Sequence, residues 1–235
     1  MAILPVLAML AAAARTGTPV LWLTPAGEVQ VDGRPVPVRE TPGADRVPIA
    51  GGFAYDFTGQ RGGILLADLP PLRLTGSMTL SVWLYLRSYT PNGEVAQVLF
   101  RGDDRAGLDP YELAVVPDGR ITFLVENDDN VGCGVTGEIP LRRWIYIVAS
   151  LDAKSGEMDF WLDGRRVSMV TTTCRPFGDL VPAYSPGVGI GNVQNDRGPH
   201  NEPLDGLVAD LRLYRGVFTP RAIGDSTPPW AKTGR

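Results

Sequence analysis

The chain has 235 residues, 26 acidic against 22 basic side chains, a formal net charge of −4 and 44% hydrophobic residues. That size and apolar content suit one large all-β domain, while the charge balance lacks the basic stripe that nucleic acid requires, and no run of five like charges marks a polyelectrolyte tail. The 28 glycines and 21 prolines are spread along the chain, as many turns demand, rather than gathered in a disordered tract.

The first fifteen residues, Met1 to Arg15, form an apolar stretch that reads in two ways. It resembles a secretory signal ending in Ala-x-Ala, although the positive start is missing and Pro5 interrupts it. Alternatively it is a retained segment that docks onto neighbours in a larger assembly. Its run of about fourteen apolar residues is too short to span a membrane. We divide the chain into this segment (1–17), a β domain (18–226) and a Pro-rich tail (227–235) in which Trp230 is a packing anchor.

Pro19–Leu23 reads as a strand, and the Pro-rich stretch to Ile49 holds Val-x-Val patches fit only for edge strands, where a missing N–H is tolerated. Phe53–Phe57 and Gly63–Leu66 flank a turn, and Leu72–Gly76 leads into the strand Met78–Leu86. Val95–Phe100 and Tyr111–Val116 follow; Pro117-Asp-Gly119 then turns the chain into Arg120–Glu126 as a hairpin. Trp144–Leu151 and Met158–Leu162 are joined through Lys154-Ser-Gly156, Phe160–Val167 is a β-rich signature, and Leu207–Tyr214 is the last strand. Short β runs closed by such turns spell a two-sheet antiparallel β-sandwich. The strand pattern places Trp83 and Trp144 in its core and leaves Trp161 either core or an exposed platform. One helix is predicted, at Thr219-Pro-Arg-Ala-Ile223, where Thr caps and Pro fits the first helical position.

Cys133 and Cys174 lie in Thr/Val-rich segments. They form either a disulfide, closing a loop of about forty residues and contributing about 3–4 kcal/mol, or two buried free thiols. With no C-x-x-C and a single histidine, metal-ligand spacing is missing.

Catalytic constellations fit poorly. A glycosidase strand of the E-x-D-x-E kind puts its acids on one face by alternation; Glu126-Asn-Asp128 and Glu157-Met-Asp159 each lack the further Glu, and the second pair is expected to be solvated. His200 lies in the loop Gly198–Pro203 with no Gly-x-Ser-x-Gly elbow in the chain, so it reads as an exposed loop histidine. The glycine-rich Gly187–Gly191 runs into Asn192 rather than a helix, which leaves phosphate without its cradle. What remains is recognition through polar loops, with Asp103, Asp104, Asn127, Asp128, Asp129, Asn192, Asn195 and His200 as candidate binding residues and Tyr89 or Tyr184 as an aromatic platform for a sugar.

In this order the motifs resemble the concanavalin A-like, laminin-G-type jelly-roll family. The resemblance is carried by Gly51–Gly59, Leu74–Trp83, Ile139–Ala149, Met158–Val167 and Leu204–Ile223, and it implies two facing antiparallel sheets in a jelly roll. The acids that this family often uses near a calcium site are replaced by Thr58 and Ala209. A hard cation wants several oxygen ligands, carboxylates above all, so calcium is disfavoured and no other cofactor is expected. The reading is a non-catalytic module on an exterior surface, binding glycan or a partner protein, or a component of a homo- or hetero-oligomeric assembly such as a virion, with no nucleic acid and no membrane span. A secreted bacterial carbohydrate-binding module and, more remotely, a glycoside hydrolase are the alternatives.

Overall fold

Two Asp-Gly pairs show how local chemistry starts the architecture. Asp32–Gly33 and Asp163–Gly164 both take positive φ (47° and 72°, 50° and 79°). This is the type I′ turn, whose twist matches that of antiparallel strands. The computed structural model describes residues 17–105, 108–194 and 198–224. The apolar N-terminal segment, Asn195 and Trp230 lie outside them.

In chain order the strands are β1 (Leu21–Leu23), β2 (Val29–Val31), β3 (Arg34–Pro35), β4 (Arg39–Glu40), β5 (Ala44–Ile49), β6 (Gly52–Thr58), β7 (Ile64–Leu66), β8 (Met78–Leu86) and β9 (Ala96–Gly102). They continue as β10 (Tyr111–Val115), β11 (Arg120–Glu126), β12 (Gly132–Glu138), β13 (Trp144–Leu151), β14 (Glu157–Leu162), β15 (Arg165–Thr171), β16 (Gly187–Ile190) and β17 (Asp205–Arg215). One sheet of ten strands runs β15-β14-β13-β8-β17-β1-β2-β3, with β6 and then β5 branching from β17. The other, of seven, runs β12-β11-β10-β9-β16-β7-β4. Neighbouring strands are antiparallel throughout both sheets. The Pro-rich stretch to Ile49 supplies β2, the two-residue strands β3 and β4, and β5, which contains Pro48 and pairs with β6 alone, an edge position where a missing proline donor is tolerated. Phe160–Val167 is not one strand: the Asp163–Gly164 turn splits it between β14 and β15.

Period-two alternation sends Leu80, Val82 and Leu84 of β8 inward against Tyr111 and Leu113 of β10 and Phe123 of β11, all fully buried. Each such side chain contributes roughly 1.5–3 kcal/mol of burial. The same alternation sends Trp83 the other way, which corrects the expectation for the tryptophans. Trp83 is buried on the outer face of the ten-stranded sheet, in a second cluster with Tyr146, Val148, Trp161, Ala209 and Tyr214. Trp144 packs against this cluster half-buried, and Trp161 is buried there instead of serving as an exposed platform. Asp159 points outward as expected but is not solvated: it is buried and accepts from Arg166 at 3.1 Å.

β17 is interrupted by a bulge between Ala209 and Arg212, with Asp210 at φ 48°. Its first half pairs with β6 and its second half with β1. The Asp210 carboxylate accepts from Trp22 Nε1 at 2.8 Å and from Arg212 Nε and Nη2 at 2.7 Å each. The helix α1 (Pro220–Ile223) forms where the sequence places it, with Thr219 Oγ1 accepting from the Ala222 N–H at 3.3 Å and Gly224 ending it at φ 83°. Cys133 and Cys174 are disulfide-bonded, Cα to Cα 6.1 Å, so the free-thiol alternative falls. The bridge ties β12, at the edge of one sheet, to the segment that follows β15, at the edge of the other.

Candidate functional site

On the outer face of the seven-stranded sheet, alternation brings out Glu112 of β10 and Thr122, Leu124 and Glu126 of β11, and the register shift between β9 and β10 brings Gln97 and Phe100 of β9 to the same face. The hairpin register sets Glu112 opposite Leu124 and so places Glu126 two residues along the same face. Gly134 of β12, opposite Leu124, lets Thr122 approach closely, because a Cβ at that position would meet Thr122 Cγ2 at 2.8 Å.

The segment after β16 straps one end of this face. Gln97 Nε2 donates to Glu202 Oε2 at 2.8 Å, and its Oε1 accepts from the Val193 N–H at 3.0 Å. Asn192 donates to Asn201 Oδ1 at 2.9 Å and accepts from the Glu202 N–H at 3.1 Å. The strap lays His200 on Phe100, ring centroids 4.5 Å apart. His200 Nε2 lies 3.1 Å from the Asp103 carbonyl oxygen and 3.8 Å from Asp109 Oδ1. A carbonyl only accepts, so Nε2 carries the ring proton. The His200 side chain is 12% exposed: it is a packed residue, not the solvated loop histidine expected from sequence.

Four carboxyls share this neighbourhood. Asp109 is pushed up to about 8, first by burial and then by the charges of Glu126, Glu202 and Asp103. Glu112 is held well above the usual carboxylate range by burial and then by Glu202, Asp109 and Glu126. Burial raises Glu126 and Glu202 as well, partly offset by the Asp109 N–H and by Gln97 respectively. Burial lowers His200, keeping its ring neutral. A carboxyl that retains its proton both donates and accepts, so Asp109 and Glu112, the two held furthest above the usual carboxylate range, give this face a donor as well as an acceptor for a hydroxyl-bearing ligand.

The predicted residues divide sharply. Asp103 is fully buried and grips Arg105 at 2.6 Å while accepting from the Val181 N–H at 3.1 Å. Burial disfavours its charge, but these bonds outweigh burial and lower its pKa; it organises the loop and is not available to a ligand. Asn192, also fully buried, fastens the strap. Asp104 stays exposed, accepting from Gln194 at 2.7 Å, beside the exposed Tyr184 whose carbonyl accepts from its N–H. Asn127 caps its own turn by accepting from the Asp129 and Val131 N–H groups, which leaves Asp128 and Asp129 exposed at the rim next to Glu126. Tyr89 sits at the other end of the β10–β11 hairpin, donating to the Ile139 carbonyl at 3.1 Å and packing on Gly119, so it does not join the group. Gln97, Phe100, Asp109, Glu112 and Glu202 escape sequence reasoning. The signal for Glu112 and Glu126 was present in the Pro117-Asp-Gly119 turn, which fixes their register. Among the described residues no three His, Cys, Asp or Glu side chains converge on a metal position.

The fold has solved counterparts. The receptor-binding domain of botulinum neurotoxin mosaic serotype C/D superposes with a TM-score of 0.64 at 10% identity, over 87% of this chain and 49% of that one. Botulinum neurotoxin type C gives 0.62 at 10% over 87% and 50%, and the binding domain of Paraclostridial Mosquitocidal Protein 1 gives 0.61 at 9% over 83% and 48%. The chain spans about half the length of these structures, and at such identities the likeness is one of fold. No curated protein sequence matches the chain. Residues 58–224, well over half the chain and most of both sheets, match the laminin-G-type model of the concanavalin A-like lectin/glucanases superfamily, and the chain belongs to that family.

Proposed function

We propose that this chain is a non-catalytic recognition module, working on an exterior surface, that binds an uncharged glycan on the outer face of the seven-stranded sheet. The observation that carries the reading is the convergence of Glu112, Glu126, Asp109 and Glu202 with the planar amide of Gln97 beside the His200–Phe100 stack. Sugar hydroxyls need donors and acceptors at fixed positions, which the Gln97 amide and a carboxyl such as Asp109, pushed up to about 8, supply together. The type C neurotoxin, a structural neighbour, depends for cell entry on interaction with two ganglioside molecules, so a glycan partner has a precedent on a related scaffold. Glycoside hydrolysis calls for two carboxyls driven apart, one protonated and one ionised. Here all four shift upward, which favours binding over cleavage.

A glycan array followed by calorimetry tests this. Saturable binding of a neutral glycan is expected, weakened about tenfold by Glu112→Ala or Glu126→Ala, the loss of roughly one hydrogen bond each. Absence of saturable binding, or unchanged affinity in both folded variants, overturns the proposal.

A second reading, a structural component of a larger assembly, is favoured by the edge strand β15. There Val167 and Met169 are 47% and 49% exposed, beside a concavity of about 500 Å³ that Arg120, Thr136 and Leu162 help to line. An unprotected edge invites another strand. Sedimentation velocity should then show an oligomer that Val167→Lys with Met169→Lys disperses; a monomeric wild type rules this reading out.

A further inference from the structure

A cavity of about 330 Å³ opens where the chain entering β16 passes the end of β7. Leu180, Pro182 and Pro186 give it apolar walls, and Asp68, Arg73 and Ser185 supply its polar groups. None of Glu112, Glu126, Asp109 and Glu202 lines it, so it stands apart from the candidate glycan face. The wall loop is tied down: the Val181 N–H donates to Asp103 Oδ2 at 3.1 Å, and Ser185 Oγ donates to the Gly102 carbonyl at 3.3 Å while accepting from the Gly187 N–H at 3.1 Å. Proline fixes φ, so walls built on Pro182 and Pro186, and a 3₁₀ turn (Pro70–Leu72) that begins with two prolines, need little ordering before a ligand enters.

The charges around the cavity are unevenly matched. Arg101, fully buried, grips the Asp68 carboxylate at 2.7 and 3.2 Å and donates to the Gly178 carbonyl as well. The Pro70–Leu72 turn brings Arg73 back onto that same carboxylate, Nε to Oδ2 at 3.2 Å. Two guanidinium groups thus share one largely buried acid. The second acid on Arg73 is Asp179, 3.2 Å from Nη1, and its side chain is 91% exposed. An ion pair held so far out in water contributes little, which makes Asp179 a displaceable partner. A guanidinium carries five N–H donors; three of those on Arg73 go to the Asp68 side chain, the Asp68 carbonyl and Asp179. With Asp68 and Ser185 already engaged, Arg73 is the group with bonding capacity left for a ligand.

We propose that this cavity binds a small monocarboxylate with an apolar body, the carboxylate taking the place of Asp179 on Arg73 and the body lying against Leu180, Pro182 and Pro186. A guanidinium fork matches a planar carboxylate. The volume sits at the low end of ligand sites, which run from about 300 to 1,000 Å³, and suits a molecule of about one ring. A neutral ligand would leave Arg73 to Asp179 and gain nothing from the charge. A compact anion such as phosphate would meet apolar walls, with Arg101 already committed to Asp68.

Calorimetry and amide chemical-shift titration of the full chain test this, with benzoate as the probe, benzyl alcohol as its neutral counterpart and inorganic phosphate as an anion without an apolar body. Benzoate should bind saturably, about tenfold or more tighter than either control, and should shift the Leu180 and Arg73 amides. Arg73→Gln should weaken benzoate about tenfold or more, the loss of a charged hydrogen-bonding partner. Arg73→Lys should weaken it less, since lysine keeps the charge and loses the fork. Asp179→Asn removes the competitor and should tighten benzoate by up to about fivefold, the worth of an exposed ion pair. Should Arg73→Gln fail to fold, Arg73→Lys and Asp179→Asn carry the same readouts. Absence of saturable benzoate binding to both the wild type and Asp179→Asn overturns the proposal. So do equal binding of benzyl alcohol or phosphate, unchanged affinity in folded Arg73→Gln, and shifts that map away from the cavity.

Discussion

Burial and the neighbouring charges of Glu126, Glu202 and Asp103 push the Asp109 carboxyl up to about 8, against roughly 3.9 for an unfolded aspartate. Folding therefore takes up a proton across that interval. The stability this group contributes is complete below about pH 4 and is lost as pH rises through about 8. Asp109→Asn keeps the shape and removes the titration, so calorimetry should find that the variant's Tm falls less than the wild type's between pH 5 and 8; parallel curves would show that Asp109 does not titrate there. His200, whose pKa burial lowers, acts with the opposite sign, its contribution being present above the unfolded histidine pKa and lost as pH falls. Asp210 is a different kind of residue. Its side chain is 10% exposed and neutralises Arg212 at 18%, so Asp210→Ala leaves a largely buried cation unpaired and is expected to cost about 3–5 kcal/mol in denaturant unfolding. None of this shows in the letters. Asp103 and Asn192 belong to the same residue types as a ligand contact, and only their full burial and their partners make them fasteners.

At the scale of elements, alternation and turn chemistry made most strands legible, because a half-buried strand must write its two faces into the sequence. The exception, Phe160–Val167, reads as continuous because Asp163-Gly164 sits inside an unbroken β-rich run; the type I′ turn becomes visible only from its two positive φ angles. β16 illustrates the reverse. Its glycines resemble a phosphate loop in sequence, yet they form a central strand with neighbours on both sides. Gly187 takes φ 95°, and a Cβ there would stand 2.5 Å from the Leu66 carbonyl oxygen. Gly187→Ala is expected to destabilise by roughly 1–3 kcal/mol, measured by urea unfolding, and an effect near zero would mean that the strand relaxes freely. The Cys133–Cys174 bridge spans 41 residues between the sheet edges. Replacing both cysteines with serine should lower stability by about 3–4 kcal/mol if the loop-entropy account holds; an equal denaturation midpoint with and without the bridge would contradict it.

Across the whole molecule the two outer faces have opposite characters, one polar and rich in carboxyls, the other aromatic. If the carboxyls contact ligand as donors, glycan affinity should weaken as pH rises from 5.5 to 9, through the interval in which Asp109 loses its proton; a flat profile by calorimetry would show that they are bystanders. The sandwich, most of its turns, the capped helix and the family resemblance were legible in the letters, because alternation, turn residues and Thr-Pro caps act over a few neighbouring residues. Tertiary structure alone decided that Trp83 faces outward, that His200 is packed on Phe100, and that Glu112, Glu126, Asp109 and Glu202 share one environment. Those facts depend on which strands become neighbours and how the strap crosses them, and side chains nearly a hundred residues apart acquire a common dielectric and a common charge only once the chain has closed.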